Sequence, residues 1–137
     1  MKSRDSILQD CDKWPKKWMG IKEDVPYGAG IVEAMRPFIE ALLDSGLAER
    51  TVQKHIDNLW FLGGEIIRDV SLENAYDKIT PADKLRESIG PCGGPLCRHI
   101  YSDGAQQYYN STCRKLCRFL DARKKRPDGR VRKEAYD

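Results

Sequence analysis

Residues 45–67 read Ser45-Gly46-Leu47-Ala48-Glu49-Arg50-Thr51-Val52-Gln53-Lys54-His55-Ile56-Asp57-Asn58-Leu59-Trp60-Phe61-Leu62-Gly63-Gly64-Glu65-Ile66-Ile67, and this stretch decides the fold. Positions 52, 56, 59, 60, 63 (a glycine), 66, 67 and 70 carry its apolar face, the spacing of a helix buried along one stripe. Just upstream, positions 31, 34, 35, 38, 39, 42 and 43 repeat that rhythm and stop at Asp44-Ser45-Gly46, where Gly46 suits a left-handed helix cap. Two amphipathic helices joined by so short a turn must form a helical corner and not a rod. Pro37 lies inside the first run, so that helix either kinks there or has its main part begin there.

Working outward, residues 1–30 are expected to form an irregular arm. A short amphipathic turn around Ile7, Leu8 and Cys11 leads to Trp14-Pro15-Lys16-Lys17-Trp18-Met19, where Pro15 blocks a long helix and two indoles need cover. The arm is expected to pack Trp14 and Trp18 onto the helical body; the other reading makes them contacts for a partner. Ser71 and Thr80 read as N-caps, and Thr80-Pro81-Ala82-Asp83 is a strong helix start. Gly90-Pro91-Cys92-Gly93-Gly94-Pro95 breaks the chain. From Asp103 a last helix is expected to run to about residue 124, with Tyr109, Cys113, Leu116, Cys117 and Leu120 facing inward. Pro127-Asp128-Gly129 ends regular structure, and residues 125–137 read as a mobile basic tail. No segment has the period of two that a strand requires. The expectation is an all-α, compact orthogonal bundle of four to six helices, its core at residues 31–124.

Composition sets the bounds on function. The 137 residues suit one domain with its own core. No apolar run approaches a membrane span, and the N-terminus lacks an apolar leader, so a cytoplasmic protein with reduced cysteines and no membrane partner is expected. The net charge of +3 conceals an asymmetry: residues 114–133 hold ten basic and two acidic side chains, whereas residues 1–113 hold fourteen and seventeen. A near-neutral body with a basic end fits nucleic acid or an acidic partner, or else a solvated helix face followed by a solubilising tail.

Candidate chemistry is sparse. Cys92 and Cys97, with Cys113 and Cys117, could supply four soft zinc ligands, but the second pair lies at i, i+4 within a helix beside Leu116 and Leu120, where buried core thiols account for it. No metal or other cofactor is expected. A cysteine nucleophile needs a histidine base, and only His55 and His99 exist; His55 adjoins the apolar stripe and His99 stands two positions from Cys97 without implying a pair. Enzymatic activity is not expected. Phe61 points away from the stripe among Lys54, Asp57, Glu65 and Arg68, so either the arm covers it or another chain does.

With these helices placed, Ser45-Gly46-Leu47, Thr51-Val52, Leu59, Leu62 and Thr80-Pro81-Ala82-Asp83 resemble the N-terminal, SAM-like core-binding domain of phage integrases and other tyrosine recombinases. The helix at Ser111-Thr112-Cys113-Arg114-Lys115-Leu116-Cys117-Arg118-Phe119-Leu120 is similar to that family's final helix. The chain also resembles small bacterial proteins with an Asp-Asn-Leu-Trp-x-Leu-Gly-Gly-Glu-Ile-Ile helix, here residues 57–67. The integrase resemblance implies a clamp on double-stranded DNA with the helices at 48–70 and 103–124 facing the duplex. It does not imply recombination, since Tyr136 has no His-x-x-Arg before it. The expected DNA contacts are Arg50, Lys54, Arg114, Lys115, Arg118, Lys124, Lys125 and Arg126. Phe61, Trp14 and Trp18 are the contacts for a protein partner should the chain instead be a protein–protein adaptor.

Overall fold

The computed structural model describes residues 3–125, with 124 and 125 described in backbone only. Six helices follow one another: α1 (Arg4–Asp12), α2 (Trp14–Trp18), α3 (Asp24–Leu43), α4 (Glu49–Glu73), α5 (Pro81–Ser88) and α6 (Asp103–Lys125). The protein is all-α; among the described residues the one extended pairing is an isolated bridge between Gly90 and Gly93. No described helix is long and apolar enough to cross a membrane.

The first departure from the sequence reading is the arm. Residues 1–30 are not irregular where described: Ser3 caps α1 by accepting from the Ser6 backbone N–H, and Pro15 separates α1 from α2 without preventing a second short helix. Proline is tolerated in the first turn because its missing N–H has no helical partner there. The turn before α3 is built by Asp24, whose Oδ2 accepts from the N–H groups of Gly20 (2.8 Å) and Ile21 (3.1 Å). Tyr76 donates to its other oxygen at 2.5 Å and so ties this turn to the far end of α4. Burial pushes the Asp24 carboxyl upward, but the hydrogen bonds from Tyr76, the two backbone groups and Ser71 outweigh it and hold the group below the usual range.

The main part of α3 does not begin at Pro37: the helix starts at Asp24 and passes through the proline. Gly46 takes the left-handed conformation that the corner demands, with φ of 80°. Ser71 is not an N-cap: α4 runs on through it to Asn74, which adopts φ of 49° and closes the helix while the Ala75 N–H reaches the Val70 carbonyl. Thr80 does cap α5, accepting from the Asp83 N–H at 3.2 Å.

The core joins Ile31, Met35 and Phe38 of α3 to Leu59, Leu62 and Ile66 of α4, all fully enclosed, with Leu85, Tyr109 and Leu116 closing it from α5 and α6. Phe38 meets Phe119 with ring centroids 5.4 Å apart. Helix α2 is wedged in by two glycines. Pro15 lies over Gly28, and the Trp18 indole fills the space a side chain at Gly63 would need, since a Cβ there would fall 2.2 Å from Cζ2. The Trp18 Nε1–H then donates to the Trp60 carbonyl at 3.0 Å. Trp60, read above as part of the buried stripe, is therefore turned out and remains 37% exposed.

This wedge predicts that Gly63→Ala costs about 1–3 kcal/mol through overpacking, visible as a melting point lower by several degrees. In a Trp18→Ala background the same substitution should cost far less, because the ring it collides with is gone. Additive losses in that double-mutant cycle would show that Trp18 does not fill the Gly63 slot.

Candidate functional site

The described surface with the most chemistry is the seam between α4 and α6. At its base lies Thr112, fully buried, whose hydroxyl donates to the Tyr108 carbonyl of its own helix at 3.2 Å. With its one proton committed, Thr112 Oγ1 can only accept from Asn58 Nδ2 at 2.9 Å and from His55 Nδ1 at 2.7 Å. That arrangement assigns the His55 proton to Nδ1 and satisfies three polar side chains in one place, as buried polar groups require. The His55 ring packs against Tyr108 at 5.3 Å, and Lys54 sits 5.4 Å above the Tyr108 ring centre. Burial, reinforced by the positive charge of Lys115, pushes the His55 imidazole down to about 4. Lys54 from α4 lies over Tyr108, and the charge of Lys115 from α6 acts on the neighbouring His55.

Beyond it, Arg114 and Arg118 continue along the outward side of α6, Arg118 being exposed. Asp121, one turn beyond Arg118, is engaged by Arg86 at 2.9 Å. Lys124 and Lys125 extend the helix; their side chains, Arg126 and the rest of the proposed tail lie outside the described residues. Arg50 does not join the group. It lines a different hollow with Arg4, Leu43, Asp44 and Leu47, where α1 meets the end of α3.

The aromatic candidates divide. Trp14 is buried and unavailable to a partner, and Trp18 is half-buried against Gly63 and Gly64. Phe61 is half-buried, packed against the core on one side and against Trp60 at 5.2 Å on the other. Helices α1 and α2 come up beside it, and a hollow it shares with Trp14 and Lys17 leaves part of the ring open. Trp60 and Tyr108 at the surface, and Asn58 and Thr112 buried in the seam beneath it, are absent from the sequence-based set. Trp60 stood at the edge of the stripe, and polar Asn58 and Thr112 at stripe-flanking positions were the legible hint of a polar seam.

The cysteines remain thiols. Cys97 and Cys113 are buried, Cys117 is half-buried with its thiol toward Asp121 at 3.8 Å, and Cys92 is exposed. Among the described residues no three His, Cys, Asp or Glu side chains are grouped to hold a metal ion. Burial pushes the Cys113 thiol up to about 12 and that of Cys11 up to about 11, which keeps both protonated and poor nucleophiles. His99 is exposed while Cys97 is buried, so the two have different surroundings.

The His55 environment carries a pH signature. Its folded value lies below the unfolded value near 6.5, so the stability it contributes is complete above about pH 6.5 and is lost as pH falls toward about 4. By pH 5 the loss should be about 2 kcal/mol, measured by urea unfolding at a series of pH values. His55→Gln should flatten the slope in that window whatever it does to stability at pH 7. An unchanged slope would assign the titration to another group.

No protein family, characterised protein or solved structure matches this chain in the comparisons made with each.

Proposed function

We propose that the protein is a non-catalytic helical module that binds double-stranded DNA, an integrase-type core-binding domain without recombinase chemistry. The observation that supports this reading is Lys54 of α4 over the Tyr108 ring, with Lys115 of α6 near enough to act on His55 beside it and Arg114 and Arg118 further along α6. Asp121 is engaged by Arg86, and Asp57, which shares a hollow with Lys54 and Tyr108, accepts from Gln53. A strip of this kind engages phosphates, so affinity would depend weakly on sequence and steeply on salt. The buried, protonated thiols of Cys11 and Cys113 and the neutral, hydrogen-bonded His55 are not activated nucleophiles, in keeping with a binding role. A protein–protein adaptor is the second reading, favoured by the exposure of Trp60 beside Phe61. A partner retained from lysate after nuclease treatment would support it.

Anisotropy titration of a labelled duplex against salt tests the DNA reading. Binding is expected at about 50 mM salt, with a log–log slope that shrinks by about 0.9 for each phosphate contact removed. Lys54→Glu combined with Lys115→Glu should weaken binding and flatten the slope, whereas Arg50→Glu, on a separate hollow, should change both much less. Failure to bind at low salt would eliminate the proposal.

A further inference from the structure

The outward face of α4 carries a feature that a phosphate-binding strip does not use. Trp60 and Phe61 form an aromatic ridge, and a hollow opens on each side of Phe61. One, of about 390 Å³, is walled by Phe61 and Tyr108, floored by Gly104 and Ala105, and rimmed by Lys54. The other, of about 260 Å³, lies between Trp18, Trp60 and Phe61 over Gly64, with Lys17, Arg68 and His99 at its edge. Each has the volume of roughly ten water molecules, room for one planar ring system. Glycine at Gly64 and Gly104 leaves the approach to the rings flat.

We infer that this ridge is a stacking site for unpaired nucleobases, with Phe61 and Tyr108 gripping one base and the phosphates of the same strand running over Lys17, Arg68, Lys54 and Lys115. The inference rests on the nucleic-acid reading above and narrows it to duplexes with an extruded base or to single strands. Charge decides which part of the strand faces α4. Cations sit at the two rims, whereas Asp57 lies beside the ridge with its carboxylate held by Gln53 at 2.9 Å, and Glu65 is nearly buried in the second hollow. Phosphates are thus drawn to the edges and repelled from the middle, which leaves the bases over the rings. Lys54 now occupies the Tyr108 face. A base entering the larger hollow would take that face and release the ammonium to a phosphate, exchanging one cation–π contact for a stacked pair and an ion pair.

Three probes of one sequence test this by anisotropy at about 50 mM salt: an intact duplex, the same duplex with one looped-out base, and the single strand. In a parallel set, 2-aminopurine at the looped-out position reports stacking through quenching. The looped-out and single-stranded probes should bind about tenfold or more tighter than the intact duplex, with quenching. Phe61→Leu and Tyr108→Leu should abolish that preference and the quenching while duplex affinity persists. Should either variant unfold early, Arg68→Gln, at an exposed position, should by itself weaken single-strand binding. Duplex binding without preference for the unpaired base, or a preference untouched by these variants, would overturn the inference and leave the phosphate strip standing. No binding to any probe would overturn both and leave the ridge to a protein partner.

Discussion

The contact on which the most else depends is the Trp18 indole seated where Gly63 has no side chain. It converts the N-terminal segment from a trailing arm into a packed layer, because α2 cannot leave without vacating a slot in the flank of α4. With Trp14 buried beside Trp18, ring centroids 5.7 Å apart, both indoles satisfy their need for cover at once. The same contact sets the character of the outer surface. The flank that Trp60 would have occupied is filled by Trp18, so Trp60 is displaced toward solvent and stands next to Phe61. The exposed Trp60 beside the half-buried Phe61 is thus tied to core packing one turn away.

A second constraint acts on the opposite flank of α4. The seam to α6 is polar where most helix contacts in this bundle are apolar, and one threonine hydroxyl is shared by Asn58, His55 and the Tyr108 carbonyl. Fully satisfied, such a group specifies register, because sliding α6 by one residue would strand a buried histidine and amide without partners. Register in turn fixes where Tyr108 and Lys115 emerge relative to Lys54. The polar seam is therefore the element that aligns two cationic side chains from distant parts of the sequence.

Much of this fold was legible in the sequence because long amphipathic helices advertise themselves. The stripe of α4, the Gly46 corner, the Thr80 cap and the span of α6 all appear where periodicity and capping chemistry put them. Three features were not legible, each for a tertiary reason. Residues 1–30 read as an irregular arm packed on the body, yet two short helices form there, with Pro15 over Gly28 and Trp18 over Gly63. Ser71 resembles a cap, but α4 continues through it to the left-handed Asn74. Trp60 satisfies the apolar period, and only its competition with Trp18 for one space reveals which indole is inside. Of the basic residues read as a set, Lys54 and Lys115 both bear on the Tyr108–His55 pair, and Arg50 lines a separate hollow. Charge patterning reports how many cations a segment holds; the helix wheel and the packing decide which share a face.

The two flanks of α4 have complementary roles that follow from their chemistry. Apolar packing against α2 and α3 is insensitive to salt and holds the helix in place. The cations that emerge at the α6 seam lie at the surface, where a Debye length of about 10 Å at 0.1 M salt makes their attraction for an anion readily screened. Between them a ligand stacked on Trp60, Phe61 and Tyr108 would gain contacts that salt does not screen. A ligand touching only the cations would be lost as salt rises, whereas one touching ridge and cations together would keep the stacking share of its affinity. The residual affinity at high salt therefore measures how far a ligand reaches from the α6 strip onto α4, which separates the two surfaces without altering a residue.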